Sequence, residues 1–428
     1  MLWRALYCLA TWLALPGALL YFVWRSRREP AYRGHLAERL GWVSERVDQP
    51  IWLHAASVGE VVLIAPLVAA IQARWPSSVL LVTTMTPTGR AEAQRRFGQD
   101  VALAYVPLDT RGATRRFVRR AGPKMAIFAE TELWPNLIAA TARRRVPLVL
   151  VSATLSARSA ARFEHWALVR AARFMLSRFC FIAAASPEHA QRLIDLGASA
   201  HTTRDTGNLK YDQPLPPDQS VHAQTLRREW QAETRPLWVA ASTHDGEEVA
   251  LLRVFGELRK TQPDVLWVLA PRHPQRFDEI ARLLSVSGWR IARRSRNETV
   301  DTHTDIVLAD TLGDVPLFYA AADVAFVGGS LVPGIGGHNV IEAAAASCVL
   351  ATGPWVREWQ STIDDLVAAG AAVVLDSEAA LGVQLGSWLA DRALCETWGR
   401  AGARLVASRR GALAQIMNGL AALPSAPR

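Results

Sequence analysis

The amino-acid sequence predicts an α/β protein of two doubly wound, Rossmann-like domains facing across a cleft, preceded by an N-terminal membrane-anchor helix. Three observations lead there. Short apolar runs alternate with helix-like stretches, the pattern of a parallel sheet covered on both faces. The alternation stops at the proline-rich stretch DQPLPPDQ (212–219) and then restarts. A charge-free apolar run lies between Arg4 and Arg25. The length, 428 residues with half of them apolar, suits two buried cores rather than one.

Residues 5–24 make a run of about 20 apolar side chains, the thickness of a bilayer's hydrocarbon core. Pro16-Gly17 is expected to kink or shorten this helix, while Trp12, Tyr21 and Trp24 suit an interface. Arg25, Arg27, Arg28, Arg33, Arg39 and Arg46 follow directly. A cleaved signal peptide has the opposite order, with charge first and small residues last. Residues 1–28 therefore read as an uncleaved anchor with its basic flank, spanning the bilayer or lying in the interface. The positive-inside rule places the rest in the cytoplasm, against an anionic membrane surface.

The first domain is assigned to residues 29–211. Its strands are expected at 51–54, 78–84, 125–129, 146–151 and 181–185, with helices at 61–73, 88–97, 111–120, 133–144 and 187–196. A linker covers 212–236 and the second domain 237–428. There, strands are expected at 238–241, 265–270, 306–309, 324–327, 349–352 and 372–375, with helices at 247–260, 275–287, 315–322 and 340–346. Ligands in such folds bind at the carboxyl ends of the strands.

The net charge of +9 is dispersed, and neither a zinc finger nor an RNA-binding aromatic signature accompanies it, so nucleic acid is not an expected partner. Four scattered cysteines without a CxxC pair argue against a disulfide framework or a metal centre, and fit a reducing compartment. No DxD-like pair, Walker A sequence, GxSxG elbow or HExxH motif occurs, and no cofactor is implied.

Chemistry-bearing residues collect where strands end. In HAASVGE (54–60), Ser57 and Glu60 have the spacing of a helix capping box. Glu60 also has the position of a general base that would take a proton from an acceptor hydroxyl, and both readings stand. Glu130 ends a strand in ETELWPN, and Lys210 lies in GNLKYD just before the linker. In the second half, FVGGSL and GGHNVIE bracket a glycine-rich loop of the kind that admits a phosphate, with Asn339 as the alternative N-cap of the helix that follows. STHDGEE, PRHP and TLGD occupy other strand ends, where Arg272 is a phosphate partner or a solvated surface arginine.

Taken in order, SVGE, MTPTGR, ETELWPN, LSARS, GNLKYD, STHDGEE, PRHPQRF and FVGGSL…GGHNVIEAAA resemble the Kdo (3-deoxy-D-manno-octulosonic acid) transferases of lipid A biosynthesis. The resemblance runs from the anchor almost to the C-terminus, with Val340 where a proline is common. It implies a GT-B fold and inverting transfer of Kdo from a CMP-β-Kdo donor to the tetraacylated lipid A precursor. Carried over by position, Glu60 is the general base, and Glu130 and Lys210 are transition-state stabilisers. The CMP site comprises Pro271, Arg272, Leu312, Gly313, Asp314, Asn339, Val340, Ile341 and Glu342. The competing readings are another GT-B nucleotide-sugar transferase or epimerase, and a non-catalytic membrane-bound nucleotide-binding module.

Overall fold

A computed structural model describes residues 2–27, 29–43, 47–155, 160, 166–213, 218–357 and 359–424. Arg28 and Arg46 of the basic flank, residues 156–159 of LSARS and residues 214–217 of the proline-rich stretch lie outside these. The chain forms two compact units, Met1–Gln213 with Arg409–Arg428, and Pro214–Ser408.

Unit 1 contains a seven-stranded parallel sheet of β1 (Ile51–His54), β2 (Leu80–Thr84), β3 (Ala102–Tyr105), β4 (Met125–Ala129), β5 (Leu148–Ala153), β6 (Phe179–Ala184) and β7 (Thr203–Asp205). Their spatial order is β3-β2-β1-β4-β5-β6-β7. β1, β2, β4 and β5 are buried along their whole length. Alternate residues serve opposite faces, as the period of a strand demands. Trp52 and Phe128 join Phe117 in one core, with Trp52 ring centroids 4.9 Å from Phe117 and 5.2 Å from Phe128. Ile51, Leu53 and Ile127 enter the other core with Ile64 and Leu67 of the helix Val58–Arg74.

The last helix, Ala412–Ala421, also covers this second face. The sequence pattern assigns residues 409–428 to the second domain, and the structure corrects that. Ala412, Ile416 and Leu420 form a one-sided apolar stripe that packs in the core of β6. The Asp212 carboxylate anchors the helix start, accepting from the Gly411 and Leu413 N–H groups, each at 2.8 Å. Replacing Asp212 by Ala orphans both donors, so unit 1 should lose about 1–2 kcal/mol by urea denaturation. An unchanged midpoint would contradict the anchoring role.

Unit 2 contains a second seven-stranded parallel sheet: β8 (Leu237–Thr243), β9 (Leu266–Pro271), β10 (Ile291–Arg293), β11 (Ile306–Leu308), β12 (Val324–Val327), β13 (Val349–Thr352) and β14 (Ala372–Val374). Their order is β10-β11-β9-β8-β12-β13-β14. Trp238 and Trp267 stack across β8 and β9 with centroids 5.0 Å apart and planes 10° apart. The assigned linker is shorter than the sequence suggests. Gln219–Glu229 is a helix of unit 2, tied down by Arg227 to Asp323 (3.2 Å) and by Trp230 stacked on Phe318.

The N-terminal helix Leu2–Arg25 belongs to unit 1 and runs through Pro16-Gly17 without a break, contrary to the shortening expected there. Proline removes a single helical donor, and the bonds on either side carry the helix across it. By length and composition Trp3–Arg25 is long and apolar enough to cross a membrane. All four cysteines are free thiols.

Candidate active site

In unit 1 the functional candidates meet at the carboxyl ends of β1, β4 and β5. β1 ends at His54, and the chain turns through Ala55-Ala56 into the helix that begins at Val58. Glu60 is in its first turn and is buried. Its Oε2 accepts from the Ala56 N–H (2.7 Å) and its Oε1 from the Ser57 hydroxyl (3.2 Å). This is not the reciprocal capping box that the spacing allows. Ser57 is the N-cap residue but makes no side-chain cap bond. Its hydroxyl serves the carboxylate instead.

Burial pushes the Glu60 carboxyl up to about 8, and the nearby charges of Glu132 and Glu130 add to the effect against the Ala56 and Ser57 donors. A carboxyl that ionises near neutrality is matched to proton abstraction. Glu130, at the end of β4, has φ +53°, a left-handed conformation that a glutamate rarely adopts. Held so, its Oε1 meets Lys210 Nζ at 3.1 Å, with both side chains about a third exposed. Lys210 is fixed by a one-turn 3-10 helix, Leu209–Asp212. The Leu209 N–H donates to Ser152 Oγ (3.1 Å), and Asn208 Oδ1 accepts from the Lys210 N–H (3.0 Å). Thus the structure brings Glu60, Glu130 and Lys210 together.

His54 and Glu132 join them, and motif reading gave neither a role. His54 is fully buried, its Nδ1 bonded to Thr83 and its Nε2 3.8 Å from Glu132 Oε2. Burial favours the neutral Glu132 carboxyl, but His54 and the Trp134 indole N–H (2.7 Å) outweigh it and hold the group low. Glu132 therefore stays charged beside Glu60. The signal was present in ETELWPN, where two carboxylates flank a single residue.

In unit 2 the strand-end loops are organised by Glu247, another residue to which the motifs gave no role. Its carboxylate is fully buried and accepts four backbone N–H groups. These come from His244 (2.9 Å), Gly329 (2.7 Å), Ser330 (2.9 Å) and Leu331 (2.9 Å). The glycine-rich loop after β12 is thereby tied to the loop after β8. Gly328 is required by close approach, since a Cβ there would lie 2.6 Å from the Ser242 carbonyl oxygen. Gly329 adopts φ +70° and leaves room for the His338 ring. Gly328→Ala should displace this loop and cost unit 2 about 1–3 kcal/mol, and urea denaturation checks it.

Three imidazoles line the same loops. His244 Nε2 and His338 Nε2 are 2.7 Å apart with the rings stacked, and His273 meets His244 edge-on at 4.9 Å. Burial first, then His244, Arg272 and His273, depress His338 to about 3, so this ring is neutral at physiological pH. Arg272 follows β9 and is exposed, while Pro271 closes the strand.

The other predicted nucleotide contacts are distributed less tightly. Asn339 caps the next helix through Oδ1 to the Ile341 N–H (3.0 Å) and donates to Glu342 (2.9 Å). That helix, Ile341–Ala345, starts one residue later than its sequence suggests. Val340 and Ile341 are buried. Leu312 is 74% exposed, and Gly313 has φ +94°. Asp314 accepts from the Thr311 hydroxyl at 2.7 Å. No hydrogen bond among the described residues links Leu312, Gly313 or Asp314 to Arg272 or Asn339. A cavity of about 940 Å³ lies elsewhere in the unit, between the helices Glu247–Thr261 and Glu378–Ala390, and shares none of the candidate residues.

Known proteins resemble this chain over most of its length. Residues 34–213 match the family described as 3-deoxy-D-manno-octulosonic-acid transferase (kdotransferase). The chain is 36% identical over 421 residues to a 3-deoxy-D-manno-octulosonic acid transferase of Haemophilus influenzae, covering 97% of this chain and 98% of that one. It is 39% identical over 386 residues to the transferase of Bordetella pertussis, covering 86% and 87%. Among solved structures, the UDP-GlcNAc 2-epimerase of Neisseria meningitidis bound to UDP-GlcNAc superposes with a TM-score of 0.58 at 13% identity. The match covers 87% of this chain and 99% of that one, a likeness of fold alone. The chain belongs to the 3-deoxy-D-manno-octulosonic acid (Kdo) transferases, glycosyltransferases of the two-domain GT-B fold.

Proposed function

We propose that the enzyme moves Kdo from CMP-β-Kdo to the tetraacylated lipid A precursor with inversion, in lipopolysaccharide biosynthesis at the cytoplasmic face of the inner membrane. The observation that carries the mechanism is the buried Glu60 carboxyl, poised near pH 8 beside the Glu130–Lys210 pair. As carboxylate, Glu60 takes the proton of the acceptor's primary hydroxyl. The hydroxyl oxygen attacks the Kdo anomeric carbon, and the bond from that carbon to the CMP phosphate oxygen breaks on the opposite side. CMP leaves with the electron pair, so one displacement inverts the centre without a covalent intermediate.

Lys210 supplies positive charge for the transition state, and the 3.1 Å contact with Glu130 holds it in place. In unit 2, Arg272 and the Glu247-anchored glycine loop take the CMP phosphate. The cytidine and ribose are assigned to Pro271, the Leu312-Gly313-Asp314 turn, and the segment from Asn339 to Glu342. The apolar N-terminal helix with its arginine flank keeps the enzyme at a lipid acceptor.

The test is incubation of detergent-purified enzyme with CMP-Kdo and the tetraacyl precursor, followed by mass spectrometry. Addition of Kdo mass units supports the reading. No addition by folded enzyme that binds CMP would sink it. Lys210→Met should lower kcat about 10²- to 10³-fold with little change in CMP affinity, and an intact kcat would remove the charge role. Inhibition by CMP but not UDP separates this donor from those of other GT-B enzymes.

A further inference from the structure

The N-terminal helix Leu2–Arg25 is fastened to unit 1 at both ends. Near its start, the Tyr7 hydroxyl donates to Asp109 (2.8 Å), the Cys8 thiol to Asn136 Oδ1 (3.2 Å), and Trp3 meets Phe174 edge-on (5.4 Å). Near its end, Phe22 stacks on Tyr32 (6.2 Å) and lies 4.2 Å beneath the Arg39 guanidinium. Half-buried residues recur at helical spacing (Trp3, Tyr7, Thr11, Leu15, Ala18, Phe22) and form one stripe against the unit. The remaining faces present Leu6, Leu9, Trp12, Leu13, Leu20 and Trp24, all more than half exposed. A helix held to one folded unit at both ends cannot put those ends on opposite sides of a bilayer.

Beside the start of this helix a cavity of about 450 Å³ opens between the helices Arg111–Ala121 and Pro135–Arg143. Its walls carry Arg115, Arg116, Arg119, Arg143 and Arg144. Arg4 of the N-terminal helix, with Arg111 and Arg143, is close enough for its charge to act on Arg115. Among the described residues, no carboxylate pairs with Arg115, Arg119, Arg143 or Arg144. The nearby Asp109 carboxylate is committed to Tyr7 and to the N–H groups of Asn136 and Leu137. Like charges gathered in a cavity without a counter-charge repel one another, and an anion relieves that.

We propose that this arginine pocket seats the phosphate of an anionic phospholipid headgroup, and that the adjoining helix lies in the plane of the leaflet with its exposed apolar face among the acyl chains. The occupant follows from the neighbourhood. The pocket adjoins a broad exposed apolar helix, and Arg25 and Arg27 close the far end, so cations flank the apolar face at both ends, as an in-plane anchor requires. The proposal rests on the membrane association included in the proposed function.

The test is sedimentation of the full chain with vesicles of phosphatidylcholine alone or with a third phosphatidylglycerol, for wild type and for a triple variant Arg115→Ser, Arg119→Ser, Arg143→Ser. These side chains are exposed, so the variant keeps its fold, and its thermal midpoint verifies that. Three charges removed at the surface should weaken binding to the anionic vesicles on the order of 100-fold and leave binding to neutral vesicles unchanged. Equal anionic-vesicle affinity of variant and wild type would overturn the pocket while leaving membrane association intact. Failure of wild type to bind either vesicle would overturn both. If inorganic phosphate alone raised the wild-type thermal midpoint and displaced the protein from anionic vesicles at millimolar concentration, the pocket would belong to a soluble anion and the lipid assignment would fall. Orientation has its own readout, in depth quenching of probes at Leu6→Cys, Leu13→Cys and Val23→Cys. Equal shallow depths support an in-plane helix, and a midplane depth for Leu13→Cys alone would show a crossing helix and overturn it.

Discussion

Glu60→Gln should lower kcat by about 10²- to 10⁴-fold while leaving CMP affinity nearly intact, because the amide cannot accept the acceptor's proton. The fold should survive, since the amide oxygen still accepts the Ala56 N–H that Glu60 accepts at 2.7 Å. The pH dependence supplies an independent check. The Glu60 carboxyl is raised to about 8 in the folded enzyme from an ordinary value of 4.5, chiefly by burial and then by Glu132. Only the ionised form is a base, so wild-type kcat/KM should climb through about pH 8 to a plateau.

The stability consequence has the opposite sense. The folded state holds this proton more tightly than the unfolded state, so the group's stabilising contribution is complete below about pH 4.5 and is lost as pH rises through about 8. The glutamine variant has no such proton to lose, and its Tm should gain on wild type between pH 6 and 9. Glu132→Gln removes a neighbouring negative charge and should move the wild-type activity profile to lower pH. Full turnover by Glu60→Gln, or a profile flat from pH 6 to 9, would require a different base.

Glu247→Gln should be the most damaging substitution in unit 2. The carboxylate meets N–H donors on both oxygens, and an amide offers one acceptor oxygen and turns an NH₂ group toward the remaining donors. Orphaning those buried donors costs about 2–4 kcal/mol. Because the donors include Gly329, Ser330 and Leu331, the glycine loop loses its anchor, and CMP binding should weaken more than tenfold. Urea denaturation and calorimetric titration measure the two effects. Native stability with normal CMP binding would show that the loop holds its shape without this carboxylate.

The predicted site residues differ in how the sequence announces them. Glu60, Glu130 and Lys210 each end or follow a strand-like run, and a parallel sheet brings all its strand ends to one edge, so their proximity follows from the pattern. Their electrostatics do not. The position of Glu60 near pH 8 depends on burial and on Glu132, to which motif reading gave no role. Glu247 illustrates the same gap. Nothing in STHDGEE distinguishes it from Glu248, yet one carboxylate holds four backbone donors while the other accepts from Thr243 and Arg276.

By itself, the sequence determined the class of fold, the order of its units, the strand ends at which the candidate residues gather and the family. These depend on periodicity and on short motifs, which are local properties of the chain. The tertiary structure alone decided which unit the final helix joins, since an amphipathic stripe such as Ala412/Ile416/Leu420 fits any complementary core. It decided that Ser57 donates to Glu60 instead of capping a helix, a choice between two hydrogen bonds available at the same spacing. It also decided how the N-terminal helix attaches, because hydropathy measures what a helix exposes and not what its two ends hold.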